Sequence, residues 1–193
     1  MKMIRSTLLA VSALALSLAA SAQAAETYKL DPYHTQVVWS INHFGFSNPS
    51  GKFASIDGTL ILDEAKPENS KVEATITIAN LFTGIEKLNE HLLGDTFFDA
   101  KKFPTATFAS DKVEVTGKDT AKVTGNLTLH GVTKPVVLDV TLNKIGENMM
   151  HKKTAGFSAS TTLKRSDFGI SSYLPGLGDD VKIGIESEAN LAQ

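Results

Sequence analysis

The chain has 193 residues, no cysteine and a formal net charge of -2 at pH 7. Without cysteine there are no disulfides, no thiolate chemistry and no lipid-modified N-terminal Cys. Acidic and basic residues are interspersed, so the chain lacks the basic stripe with which proteins bind nucleic acid or an anionic membrane surface.

The start of the chain has the pattern of a secretory signal peptide. Basic residues precede an uncharged run rich in Leu and Ala, which ends in Ala22-Gln23-Ala24. Small residues at alternate positions are what signal peptidase recognises, so we expect cleavage between Ala24 and Ala25. The run is shorter than the ~20 apolar residues that a membrane-spanning helix needs. We therefore predict a signal peptide over residues 1–24, a periplasmic location without an integral membrane span, and one domain over residues 25–193.

Alternation of apolar and polar residues dominates the rest of the chain, and this period is typical of strands with one face in water. In the run 121–129, for example, Val123, Leu127 and Leu129 share one parity, while Lys122 and Asn126 have the other. The pattern predicts about eight strands, at 37–43, 52–62, 71–79, 105–115, 121–129, 136–142, 155–163 and 181–185.

The segments between the later runs contain Gly and Pro, at 117–119, 131–135 and 146–148. These residues supply the backbone conformations of tight hairpin turns. Consecutive strands with such turns favour an antiparallel sandwich or closed barrel over alternating β and α units. Charged residues such as Glu73 and Lys122 have the outward parity, which excludes a barrel that faces lipid on its outside. The expected fold is all-β: an antiparallel eight-stranded barrel with a polar exterior and an apolar interior.

Two segments break the alternation. Apolar residues recur at helical spacing across 84–94, which predicts one short helix of roughly three turns; its inner face would hold Ile85, Leu88, His91 and Leu92. The stretch 166–180 is irregular but rich in apolar residues, including Phe168 and Leu174. Apolar side chains in a loop of this length usually cover something. We expect this long apolar loop to close over the interior.

Motifs for catalysis or metal binding are absent from the sequence. None of the five histidines lies in an HxH, HxxxH or HExxH arrangement, and there is no G-x-S-x-G elbow. We predict no catalytic residues, no metal and no cofactor. His43 and His91 have inward positions and are either satisfied core histidines or polar contacts for a ligand. His130 and His151 fall at predicted turns, where we expect them to be solvated.

Phenylalanines concentrate near strand ends, the helix and the long loop rather than in mid-strand. They either plug an ordinary β core or form an aromatic mouth around an apolar cavity, because an eight-stranded barrel just holds one small ligand. The residues with this placement are Phe44, Phe46, Phe53, Phe97, Phe98, Phe103 and Phe168.

Four blocks, in order and with compatible spacing, resemble the YceI-like family of lipocalin-like, polyisoprenoid-binding periplasmic proteins. They lie at 31–53, with Asp31-Pro32-Tyr33-His34; at 91–108, with Phe97-Phe98-Asp99; at 127–135, with Leu129-His130-Gly131; and at 163–170, with Ser166-Asp167-Phe168-Gly169. The resemblance implies a lipocalin-like barrel with an isoprenoid-type lipid in its pore. The sequences of many members resemble a pattern with an Arg-Asp pair just before the His-Leu of the helix and another Arg soon after it. At those positions this chain has Leu88-Asn89 and Leu93. This departure argues against recognition of a pyrophosphate head by the helix.

The sequence thus predicts a non-enzymatic protein that binds a small apolar or amphiphilic lipid, quinone- or prenol-like, inside the barrel. Two alternatives stay open: a stress or redox accessory that binds a quinone or a protein partner, and an enzyme acting on a bound lipid. The sequence does not fix the oligomeric state and is compatible with a homodimer. The predicted ligand-binding residues are Trp39, Ile41, His43, Phe44, Phe53, Leu88, His91, Leu92, Phe97, Phe98, Phe108, Phe157, Phe168 and Leu174.

Overall fold

A computed structural model describes residues 24–193. The predicted signal peptide lies outside this range except for Ala24, which is exposed together with Ala25 and precedes the first strand. Across residues 24–193, no helix is both long and apolar enough to cross a bilayer.

Residues 24–193 form one antiparallel sheet of eleven strands, one α-helix and three short 3-10 helices, Pro67–Asn69, Ile78–Asn80 and Arg165–Phe168. The elements are β1 (Glu26–Leu30), β2 (Gln36–His43), β3 (Ser50–Ala54), β4 (Asp57–Leu62), β5 (Lys71–Thr77), β6 (Leu81–Phe82), α1 (Glu86–Leu93), β7 (Thr105–Val115), β8 (Thr120–Leu129), β9 (Val132–Glu147), β10 (Lys153–Lys164) and β11 (Leu177–Leu191).

The sheet closes because β1 pairs with β4 on one edge and with β11 on the other. The closed ring contains eight strands, in the order β1, β4, β5, β7, β8, β9, β10 and β11. β2 follows β1 along the same edge of β11, and β3 and β6 extend the wall beyond it. The expected all-β, eight-stranded lipocalin-like barrel with one helix is confirmed.

The two ends of the barrel carry different connections. The loop 44–49, α1 and the segment 165–176 lie at one end, where Leu92 of α1 and Ile41 of β2 pack against the cluster of Phe97, Ile170 and Leu177. We call this the helix end. The loop 63–70 and the turns 116–119 and 148–152 lie at the opposite end, which we call the hairpin end.

Several predicted boundaries were wrong. The run 52–62 is two strands, because the chain turns at Ser55, whose φ is 56°. The helix has only eight residues, Glu86–Leu93, since Gly84 and extended Ile85 delay its start. β1 and β6 were missed because they are too short to show a clear period.

The later hairpins are also tighter than expected. β9 begins at Val132, so the predicted turn at 131–135 consists only of His130 and Gly131, with φ values of 51° and 73°. The predicted long loop ends at Leu177, where β11 begins with a bulge before Val181. Gly146 and Glu147 continue β9 rather than forming a turn.

Candidate functional site

A cavity of about 1030 Å³ occupies the inside of the barrel. This volume is at the upper limit of the ~300–1,000 Å³ that is usual for small-molecule sites. The cavity explains why inward residues such as Leu127 and Ile183 are only half-buried, since they pack against neighbours on the wall but face open space in the middle.

The cavity is elongated. β8 contributes to its wall from Ala121 to Leu129, a span of about 26 Å at ~3.3 Å per residue. With the usual strand tilt of ~35–45°, this corresponds to about 20 Å along the barrel axis. A site of this length suits a long, narrow molecule.

Aliphatic side chains form most of the wall, because the inward parity of every long strand is apolar. This regularity follows directly from the period-two pattern of the sequence. Besides the predicted site residues, the wall includes Val37, Val72, Ala74, Ile76, Val113, Val123, Leu127, Leu129, Val136, Leu138, Val140, Ala159, Leu163, Val181, Ile183 and Ile185.

Thirteen of the fourteen predicted ligand-binding residues lie on the cavity wall. Leu174 is the exception: it is partly exposed, and its neighbour Tyr173 reaches the cavity instead. Tyr173 has a φ of 64° in a tight turn, which sequence periodicity does not reveal. The residues on the wall are Trp39, Ile41, His43, Phe44, Phe53, Leu88, His91, Leu92, Phe97, Phe98, Phe108, Phe157 and Phe168; that they contact a ligand stays a prediction.

Aromatic rings meet at the helix end of the cavity. The ring of Phe44 lies 4.9 Å from that of His43, edge to face. Phe97 connects His91 of α1, at 5.1 Å, with Tyr173 of the long loop, at 6.0 Å. These rings come from the end of β2, the loop 44–49, α1, the segment after α1 and the loop 169–176. Both alternatives apply in part, because Phe53, Phe97 and Phe168 are buried core residues while Phe44 is half-exposed on the cavity wall. We call this group of rings the aromatic mouth.

Two histidines supply hydrogen-bonding capacity at this mouth. The imidazoles of His43 and His91 line the cavity, and both residues are exposed rather than part of a satisfied core. Within residues 24–193 their close side-chain partners are the rings of Phe44 and Phe97. Their ring nitrogens are therefore available to a bound molecule. The indole N–H of Trp39 is also unpaired, but it is buried, and its ring lies against Gly51. The indole thus contributes apolar surface.

Arg165 is a wall residue that the sequence did not reveal as part of the site. It is only 6% exposed, and its guanidinium donates to the carbonyl oxygens of Ile170, Leu177 and Gly178 at 2.8–2.9 Å. Burial lowers its pKa, while the charge of Asp179 opposes that shift. Arg165 therefore ties the loop 169–176 to the barrel. A cation after an apolar strand is normally exposed, so nothing in the pattern distinguished it.

The hairpin end of the cavity is polar. Glu64, Lys71, Lys118 and Asp119 border it, and Glu64 Oε1 is 2.7 Å from Lys153 Nζ. The cavity therefore has one polar end and one aromatic end.

His130 is not solvated as expected. It is half-buried, with Nδ1 3.1 Å from the carbonyl oxygen of Phe168 and its ring 4.5 Å from that of Phe103. The turn at 130–131 packs against the segment 165–168, and this contact partly buries His130. His151 is exposed, as predicted.

Outside the cavity, one cluster within residues 24–193 has the atoms of a metal site. The side-chain ligand atoms of Asp31, His34 and Glu188 lie within 4.8 Å of one another. His34 Nδ1 is 3.0 Å from Asp31 Oδ2, and Asp31 Oδ1 accepts the backbone N–H of Tyr33 at 2.9 Å. The hydrogen bond to Asp31, with Glu188 nearby, raises the pKa of His34. These hydrogen bonds stabilise the turn that links β1 to β2, which is a sufficient reason for the three side chains to lie together.

Comparison with known proteins identifies relatives over nearly all of the described range. The YceI-like domain matches residues 28–189. A UPF0312 protein of Pseudomonas putida strain W619 is 45% identical over 158 residues, which are 81% of this chain and 82% of that protein.

Two solved structures share the fold. BcnA of Burkholderia cenocepacia superposes with a TM-score of 0.75 at 26% identity, covering 82% of this chain and 98% of that one. A polyisoprenoid-binding domain from Saccharophagus degradans superposes with a TM-score of 0.67 over 86% of this chain and 98% of that one. At 14% identity the latter shows a common fold alone.

Proposed function

Given that this chain belongs to the family of YceI-like domains, we propose that it binds one isoprenoid-type lipid, such as a quinone or prenol, along its barrel and carries it in the periplasm. The observation behind the proposal is the elongated apolar cavity of about 1030 Å³. The polyisoprenoid-binding domain of Saccharophagus degradans has the same fold, which supports a ligand of this class.

Apolar burial supplies the driving force for binding. Enclosing on the order of 500 Å² of hydrocarbon yields roughly 12 kcal/mol at ~25 cal/mol per Å². The loss of free motion on association costs ~4–15 kcal/mol. Because the two contributions are similar in size, the head group of the lipid has a large influence on affinity.

The residues at the mouth favour a neutral head. A buried pyrophosphate needs paired cations, but three of the five N–H donors of Arg165 bond backbone carbonyls, and Lys87 of α1 is exposed and off the wall. The imidazoles of His43 and His91 are suited to hydrogen bonds with a carbonyl or hydroxyl. At the hairpin end, Lys71 and Lys118 share the border of the cavity with the carboxylates of Glu64 and Asp119.

The proposed role is binding without catalysis. Proton-transfer groups at the mouth, His43 and His91, have aromatic rings as their close side-chain partners, Phe44 and Phe97. General acid–base catalysis would require them within hydrogen-bond reach of a nucleophile or a reacting group.

Fluorescence titration of delipidated protein tests the lipid and its head group together. Trp39, the single tryptophan of the chain, lines the cavity and reports its filling. A neutral prenol should bind saturably, and the same chain ending in pyrophosphate about tenfold more weakly. Tighter binding of the pyrophosphate would contradict the neutral head, and no saturable binding of either would contradict the lipid site.

The periplasmic location rests on the predicted signal peptide. N-terminal sequencing of protein from the periplasmic fraction should give a chain that begins at Ala25. An intact Met1 terminus recovered with the membranes would contradict it.

A further inference from the structure

The aromatic mouth exposes more apolar surface than the cavity entrance requires. We define the helix-end rim as Phe44, Phe46, Ile85, Tyr173 and Leu174. Phe46 is 90% exposed, and Ile85, Tyr173 and Phe44 are exposed by 60, 56 and 48%. Apolar side chains on this scale, gathered around one opening, mark a surface that contacts something.

The rim residues come from segments that lie at the same end of the barrel. The backbone N–H of Phe44 donates to the carbonyl oxygen of Gly176 at 3.0 Å, which joins the loop 44–49 to the loop 169–176. β6 pairs Phe82 with Lys52 of β3, so the chain leaving β6 toward Ile85 runs to the same end as the loop 44–49. The rim residues therefore lie at the helix end, where Phe44 and Tyr173 also line the cavity.

The rim residue Phe46 is held in position. Its N–H donates to the carbonyl oxygen of His43 at 3.0 Å, and Gly45 N–H donates to Asn42 Oδ1 at 2.9 Å. Turn tips usually carry Gly, Asn, Asp or Ser, so the turn does not itself require a phenylalanine. A fixed turn that presents a large apolar side chain to water suggests a binding role for it.

We infer that the helix-end rim docks on a lipid bilayer, so that the cavity exchanges its ligand directly with the membrane. This inference rests on the proposed function, because a lipid that enters or leaves through the rim otherwise crosses water. At the hairpin end, Val115 and the turn residues Met149 and Met150 are exposed, but the cavity border there also carries the charged side chains of Glu64, Lys71, Lys118 and Asp119. Aromatic and aliphatic side chains partition to the bilayer interface, and docking of this kind needs no anionic lipid.

Vesicle flotation with phosphatidylcholine tests the inference on protein purified from its own host. Wild type should float with the vesicles at both low and high salt. Phe46→Ser and Ile85→Ser should each weaken partitioning about tenfold, because neither side chain then inserts. The matched control is Met149→Ser: Met149 is 99% exposed but lies in the turn 148–152 at the hairpin end, and it should float like wild type.

Ligand binding is measured separately on the same variants. Phe46 and Ile85 do not line the cavity, so both serine variants should retain wild-type affinity for a neutral prenol in the Trp39 titration. If wild type docks on vesicles but binds no prenol, the proposed function fails while docking is retained.

Three results would overturn the docking inference. One is wild-type protein that stays off the vesicles, and another is an equal loss for Met149→Ser. The third is a dimer in sedimentation that Phe46→Ser dissociates while neither form floats, because the rim would then be covered by a second copy of the chain.

Discussion

Replacing Val123 with Asp tests whether the barrel interior holds the fold together. Val123 is 8% exposed and lies in β8 between Val113 of β7 and Leu138 of β9. The substitution removes an apolar burial of ~1.5–3 kcal/mol and leaves a carboxylate without a partner, which costs several kcal/mol more. We expect a loss of about 4–6 kcal/mol from a typical total of ~5–15 kcal/mol.

Thermal unfolding followed by circular dichroism measures this loss. At ~2–4 °C per kcal/mol for a domain of this size, Val123→Asp should lower Tm by about 10–20 °C. The control is Thr124→Asp, on the next residue, which has the outward parity and faces Lys112 across the ladder. Its effect should stay within ~0.5 kcal/mol. Similar shifts in the two variants would refute the assignment of inner and outer faces.

Three further predictions concern the ligand, the loop and pH. In Leu127→Asp the carboxylate stays hydrated in the empty cavity but loses that water when a lipid fills it, so prenol affinity should fall more than ~100-fold in the titration. The Tm should fall less than in Val123→Asp. A Tm loss as large as that of Val123→Asp would show that Leu127 lies in a closed core rather than on a cavity wall. Arg165→Lys leaves carbonyl oxygens among Ile170 of the loop 169–176 and Leu177 and Gly178 of β11 without donors, and it should cost about 3–5 kcal/mol with faster proteolysis of the loop. Unchanged melting and cleavage would show that Arg165 does not hold the loop to the barrel. Because the pKa of His34 is raised above its ordinary 6.5, its protonated ring stabilises the fold below that pH, and this stabilisation is lost as pH rises through the raised value. The Tm difference between wild type and His34→Gln should therefore be largest below the ordinary pKa of histidine and should disappear as the pH rises past the raised pKa. A difference that does not change with pH would contradict the role of the proton.

Much of the barrel could be predicted because the inward or outward position of a strand residue follows from its immediate neighbours in the sequence. The side-chain period of a strand is two, so the pattern in 121–129 alone assigns Val123 and Leu127 to the inside. The same parity placed Trp39 and His43 on the cavity wall, as the structure shows. Helical spacing likewise placed Leu88 and His91 toward the interior.

The features that escaped prediction depend on contacts distant in sequence. The three carbonyl oxygens that hold Arg165 come from a loop and a bulged strand, and no local pattern encodes their convergence. The partial burial of His130 depends on the segment 165–168, which packs against a separate hairpin. Tyr173 takes the place expected for Leu174 because of a positive φ, and bulky residues rarely adopt such a conformation.

The central claim is that the cavity holds an isoprenoid-type lipid, and native mass spectrometry of protein purified from its own host tests it most directly. The cavity wall predicts one added mass per chain, which organic extraction should release as a neutral molecule with an isoprenoid tail. Protein that repeatedly carries the bare chain mass and takes up no prenol after incubation, or that carries only a hydrophilic molecule, would contradict the claim.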